Sequence, residues 1–287
     1  MIKSLTAVMA AILIAALSSA AMAQDPPKRS IKQITGDLWR FQNNFHYSVF
    51  LVTPEGIIAT DPINAEAATW LKKKLKSQFG RQVKYLILSH DHADHSAGGE
   101  VFAQDGAIVI SHDKAKVQII GERRPTAIPN ITFSDQMTVE LGGKKVELKY
   151  LGKNHSDNMI VMHFPAERAL FAVDFIPIKT VAFKDFPDAY LPEWIESLRK
   201  VEQMDFDLLV PGHGRIGNRA DVVAFREYME FLHAKVLNAL RLDKSLQTTL
   251  AETDLSHWRD WGQFEAWSPL NIEGMYKRLG LNRRGNK

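Results

Sequence analysis

With 287 residues, 45% of them hydrophobic, the chain can bury a full core in one large domain or a domain with an appendage, which excludes a disordered or fibrous protein. Its formal charge of +3 comes from acids and bases scattered along the sequence, with no clustered basic stripe, so no nucleic-acid partner is expected. Cysteine is absent, which excludes disulfides and a lipid-modified N-terminal cysteine.

The first residues carry one cation, Lys3, then an apolar run over 5–17 and the small-residue pattern Ala21-Met22-Ala23. This is the layout of a signal peptide over 1–23, which implies a periplasmic or secreted protein without stable membrane insertion after cleavage. A permanent anchor is the competing reading, since the run approaches the ~18 to 20 residues of a spanning helix. A polar leader is expected over 24–37. Short strands then follow at 38–41, 48–52 and 56–60, separated by Asn43-Asn44 and the turn Pro54-Glu55-Gly56.

Residues 65–79 predict a helix with Trp70, Leu71 and Leu75 on one side, and the apolar run 83–88 predicts a strand buried on both faces. A short helix at 99–104, a strand at 108–110 and a helix at 113–122 come next. Strands at 137–141 and 144–150 flank the hairpin pair Gly142-Gly143. Strands at 159–164 and 169–173, a helix at 191–204 and a last strand at 208–210 complete a domain over 38–218. From 219 to 287 the pattern is helical, with helices at 221–242, 245–253 and 272–279 and a loop-rich stretch holding Trp258, Trp261 and Trp267.

Five of the ten histidines fall in loops that follow predicted strands, and three of them lie in LSHDHADHSAGG. His90, His92 and His95, at positions i, i+2 and i+5, cannot share one face of a helix or strand. A loop wrapped around a cation satisfies all three, with Asp94 beside them. His112 reads as a helix-capping residue and His163 as a strand position; His233 and His257 read as structural.

This segment resembles the signature of the metallo-β-lactamase superfamily, and the remaining motifs occur in the family's order: Asp61 in IIATDP, His155 in GKNHSDN, Asp174 in LFAVDF and His213 in PGHG. The resemblance spans roughly 38–215. It implies an α+β fold, a four-layer αββα sandwich with a helical C-terminal extension. It also implies two metal ions, the first held by His90, His92 and His155, the second by Asp94, His95 and His213, with Asp174 bridging them. Asp61 would orient a ligating histidine through the ring nitrogen that the metal does not use.

The expected ions are two Zn2+, with iron or manganese as the less favoured alternatives. The implied chemistry is attack by a bridging hydroxide on an ester, thioester or lactone carbonyl, with Asp94 orienting it or carrying a proton. Asp174 departs from the zinc β-lactamases, which usually carry cysteine or serine near that point, and is similar to glyoxalase II and lactonases. β-Lactam hydrolysis, an iron-dependent redox role and a metal-binding accessory role stay open as alternatives. So does a place among the zinc metallohydrolases that accompany periplasmic quinoproteins. The partner is a small-molecule substrate, with His46, Phe175 and Tyr190 as candidate contacts; Phe183, Phe186, Lys179 and Lys184 share the last two residues' segment. The sequence leaves the oligomeric state open.

Overall fold

The computed structural model describes residues 26–281. The expected signal peptide lies outside the described residues, and among them no helix is long and apolar enough to cross a membrane. Two mixed sheets pack face to face. The first has seven strands in sequential order: β1 (Arg29–Thr35), β2 (Leu38–Asn43), β3 (His46–Thr53), β4 (Gly56–Thr60), β5 (Val83–Ile87), β6 (Ile108–His112) and β7 (Ile131–Phe133). It opens as an antiparallel meander and turns parallel from β4 onward. The second sheet has β8 (Gln136–Leu141), β9 (Lys144–Lys149), β10 (Val161–Phe164), β11 (Ala169–Val173) and β12 (Leu208–Pro211), antiparallel except for the final parallel pair.

Strand alternation builds the layers, because successive side chains leave opposite faces of a sheet. Leu51, Ile58 and Ile87 join Val146, Leu148 and Met162 in the core between the sheets. Their neighbours Phe50, Ile57 and Leu86 face outward onto α1 (Ala65–Phe79), where Ala67, Leu71 and Leu75 cover them. On the other side, α5 (Leu191–Glu202) and α6 (Arg219–Arg241) bring Trp194, Leu198 and Phe225 against the second sheet. The order helix, sheet, sheet, helix is the αββα sandwich expected from the sequence. Its helical extension consists of α6, α7 (Leu246–Glu252) and α8 (Phe264–Leu281). The small helices α2 (Ala93–Ser96), α3 (Glu100–Ala103) and α4 (Asp113–Gly121) fill the first half of the chain.

Strand β7 and helix α2 stand where no element was expected, and two further differences exceed two residues. The polar leader over 24–37 contains β1, whose alternation is weak because Ile31 and Ile34 stand three apart; it is an edge strand held by its register with β2. The last helix begins at Phe264 and not at 272, with Pro269 inside it. Pro269, the sixth residue, forgoes a helix bond and crowds the Glu265 carbonyl, so it reads in the sequence as a boundary that the chain does not take.

Candidate metal centre

The site sits where the strands of both sheets end. Asp61 follows β4, the segment 88–95, a loop that runs into α2, follows β5, Asp174 follows β11 and His213 follows β12, while His155 comes from the β9 to β10 connection and His46 opens β3. Three residues at these strand ends adopt left-handed backbone: Asp61 (φ 27°), Ile63 (φ 71°) and Val173 (φ 47°). A β-branched residue there costs on the order of 1–3 kcal/mol, and such strain persists only where the surroundings over-determine it. At Ile63 the fixing contact is its N–H to the carbonyl of His95, 3.0 Å. Gly98 lets the histidine loop close onto α1, since a Cβ there would overlap the backbone of Asn64 and Ala65.

The side chains form two groups whose nitrogen and oxygen atoms lie within 4.8 Å of one another. One holds His90, His92, His155 and Asp174; the other holds Asp94, His95, Asp174 and His213. All seven residues of the expected ligand set are therefore together, and Asp174 belongs to both groups. Its Oδ2 lies 3.2 Å from His95 Nε2, 3.8 Å from His155 Nε2 and 4.0 Å from His90 Nε2, while its Oδ1 lies 3.2 Å from His213 Nε2.

The outward ring nitrogens are tied down by oxygen. His90 Nδ1 meets Ser89 Oγ at 2.9 Å, and that hydroxyl donates to Asp61 Oδ2 at 2.7 Å. Asp61 Oδ2 is also 3.3 Å from His95 Nδ1, the orienting position expected of it. His213 Nδ1 donates to the Phe45 carbonyl at 3.0 Å, and His92 Nε2 to Asp188 Oδ2 at 2.8 Å. A neutral imidazole that donates outward keeps a lone pair on the inward nitrogen. Those inward nitrogens face each other at 3.3 Å in the pairs His92 with His155 and His95 with His213.

At that separation each pair takes either a proton or a metal ion between its lone pairs, and the buried atoms His90 Nε2 and Asp174 Oδ1 have no hydrogen-bond partner. The donor set thus fits two divalent ions. The electrostatics of the buried groups carry the same demand for positive charge. Burial alone would raise the Asp174 carboxyl, but His95 and His213 outweigh it and hold it well below the usual carboxylate range. Burial alone would lower His95, yet Asp174 and Asp61 keep it well above its ordinary value. Burial, reinforced by His92 and His95, pushes His90 well below its ordinary value, which leaves it a neutral nitrogen donor. Protons on histidines balance the aspartates here, and metal binding would release them.

The family model of the metallo-β-lactamase superfamily matches residues 57–213, which include six of the seven clustered residues and end on the seventh, His213. The chain belongs to the metallo-β-lactamase superfamily. It is 28% identical over 219 residues to the 2,4-dinitroanisole O-demethylase subunit alpha of Nocardioides sp. (strain JS1661), a match covering 75% of this chain and 66% of that one. With the metallo-β-lactamase type 2 of Bacillus cereus it shares 26% over 204 residues, 66% of this chain and 78% of the relative. The solved metallo-β-lactamase from Pontibacter korlensis superposes with a TM-score of 0.65 at 19% identity, over 71% of this chain and 99% of that structure, and so confirms the fold. A superfamily hydrolase with a histidine and aspartate cluster able to hold metal is the level of function these likenesses establish.

Of the expected substrate contacts, His46 lies at the site: its Nε2 is 3.3 Å from Asp94 Oδ2 and its ring 4.7 Å from that of His213. Phe175 does not. Its side chain is fully buried in the core and its carbonyl accepts from Trp194 Nε1 at 2.9 Å, because the chain turns inward directly after Asp174. Phe186 is buried as well, whereas Phe183 is exposed against Trp267. Tyr190 stands at the N-cap position of α5 without a side-chain capping bond, half-buried, with Lys153 Nζ 4.5 Å from its ring centre. His112 caps α4 as expected, accepting from the Lys114 N–H at 3.1 Å.

Asp188 was not visible in the sequence. It stands in an aromatic segment with no histidine nearby in the chain and meets His92 only through the fold. Burial alone would lower His92, but the bond to Asp188 raises it above its ordinary value; the same bond overcomes burial to hold Asp188 below the usual carboxylate range. Removing such an orienting partner typically weakens metal binding ~10- to 100-fold, so Asp188→Asn is expected to lower affinity at the His90, His92 and His155 group by that order. Titration of the apo-protein with Zn2+ against a competing chelator checks this, and unchanged affinity would remove Asp188 from the centre.

Proposed function

We propose that this chain is an exported two-zinc hydrolase that cleaves the carbonyl of an ester, thioester or lactone. The observation that carries the reading is Asp174, one carboxylate shared by both ligand groups. A shared aspartate is the feature that resembles glyoxalase II and the lactonases. Zinc is supported by the all-nitrogen contribution of His90, His92 and His155 on one side, joined by carboxylate oxygen, a set that suits zinc and also iron or manganese. Export is supported by the N-terminal sequence pattern.

Two divalent ions held by these residues would lower the pKa of a bound water towards ~7 and polarise a carbonyl. The chain's own residues do the rest. His90, His95 and His213 are held by Ser89, Asp61 and the Phe45 carbonyl, so their inward nitrogens point at fixed positions before substrate arrives. Asp94 is the more exposed carboxylate of the site. Burial alone would raise its pKa, but the His46 contact and His95 bring it to about 2, so it is ionised at neutral pH. It can accept a proton at Oδ2 from the attacking water and return it to a leaving group, with His46 orienting it from 3.3 Å.

A second reading, β-lactam hydrolysis, is favoured by the names of several relatives and of the solved structures. A panel on zinc-loaded protein separates the two: a β-lactam, a lactone, a glutathione thioester, an aryl ester and a phosphodiester. Turnover of the thioester, lactone or ester with none of the β-lactam is expected; turnover of the β-lactam alone would replace this proposal with the second reading.

A further inference from the structure

The segment 175–190, which carries Asp188, is not self-supporting. Lys179 (φ 48°), Lys184 (φ 45°) and Phe186 (φ 57°) all sit in left-handed backbone without being glycine, a conformation that persists only when neighbours impose it. The neighbours that impose it belong to the C-terminal extension. Gly262 donates to the Lys179 carbonyl at 2.8 Å and accepts from the Val181 N–H at 3.2 Å. Asn271, fully buried on α8, donates through Nδ2 to the carbonyls of Ala182 (2.9 Å) and Lys184 (2.6 Å), while its Oδ1 accepts from Tyr228 on α6. Gly274 packs so closely that a Cβ would overlap the Asp185 carbonyl. Arg278 donates to the carbonyls of Pro187 and Ala189, the two residues that bracket Asp188.

We infer that α8 is a positioning element of the metal centre: through Asn271, Gly274 and Arg278 it splints the strained segment that sets Asp188 against His92. The family match ends at residue 213, before α6 begins, so the splint comes from a part of the chain outside the matched domain. Neither Asn271 nor Arg278 touches the clustered ligands; Asn271 acts through the backbone at Ala182 and Lys184, and Arg278 through the backbone on either side of Asp188 and through its positive charge beside that carboxylate. Truncating the splint lets residues 182–189 relax, frees the His92 ring and loosens the first ligand group while leaving Asp94, His95 and His213 in place. This inference rests on the metal-centre reading, and its test needs no substrate.

The test titrates the full-length apo-protein with Co2+, following visible absorption, for wild type, Asp188→Asn, Asn271→Ala, Arg278→Gln and the double variant Asp188→Asn with Arg278→Gln. Val236→Ala, at a buried position of α6 outside the bonds to the segment, is the control for general destabilisation. Asn271→Ala and Arg278→Gln are expected to weaken the binding step of the first group about 10-fold, as loss of the orienting partner itself does. The double variant should bind no more weakly than Asp188→Asn, because the two changes act through one contact. Val236→Ala should lower the melting temperature and keep its Co2+ affinity.

Wild-type affinity in both α8 variants beside a weakened Asp188→Asn would overturn the inference and leave the metal centre standing; so would fully additive losses in the double variant. Should Asn271→Ala fail to fold, the half-exposed Arg278→Gln decides. A wild-type protein that takes up no Co2+ would bring down this inference and the proposed function together.

Discussion

Asp174→Asn is expected to lower kcat/KM on the enzyme's substrate by at least ~1,000-fold, about 4 kcal/mol of transition-state stabilisation. The size follows from geometry. Asp174 is the carboxylate common to both ligand groups, almost completely shielded from water, with three histidine nitrogens within 3.8 Å of its oxygens. Asparagine keeps the volume and removes the charge, so both ligand groups would lose their shared anion at once. His92→Ala should cause a loss of similar order by emptying one corner of the first group. His112→Ala provides the contrast, since His112 stands outside both ligand groups: it caps α4 and its Nε2 donates to the Ser134 carbonyl at 3.0 Å, so its loss costs stability, about 1 kcal/mol for the cap alone, with little effect on rate. Steady-state kinetics on the three variants, with metal content measured alongside, checks the prediction. Comparable activities for His92→Ala and His112→Ala would defeat the two-metal mechanism.

Chelation should abolish activity and restore it on return of Zn2+, and it should also lower the melting temperature by about 10 °C. A ligand held at ~1,000 times its dissociation constant stabilises the fold by about 4 kcal/mol, and a domain of this size shifts by roughly 2–4 °C per kcal/mol. The effect is larger than a remote surface site would give because the ions would join the ends of both sheets: His90 and His92 follow β5 of the first, Asp174 and His213 follow β11 and β12 of the second. Differential scanning calorimetry with and without chelator measures it. An unchanged melting temperature would mean that the clustered side chains hold no metal.

Local chemistry was readable from residue order. The three histidines and Asp94 fall within six positions, a spacing that no single face of a helix or strand accommodates and that a chain wrapped around a cation does, so four of the seven clustered residues announce themselves. Asp61, His155, Asp174 and His213 are each ordinary alone and were reached through the family's order of motifs; the fold brings them to the strand ends where that order implied. Helix α1 was legible to the residue because its apolar face repeats at helical spacing between Asn64 as cap and Gly80 as stop. Strand β1 was not, since an edge strand with one partner needs little apolar alternation.

From its sequence alone this protein has a metal-binding loop, a sandwich of strands and helices and a helical tail, because those depend on spacing within a few residues. Only the tertiary structure decided what the aromatic segment after Asp174 does. Its hydrophobic residues suggested a pocket wall, yet Phe175 and Phe186 are core, and the residue that reaches the centre is Asp188. Sequence pattern records whether a side chain prefers burial. Which strained backbone a distant helix enforces, and hence which carboxylate meets which histidine, is settled by contacts between residues some 90 positions apart.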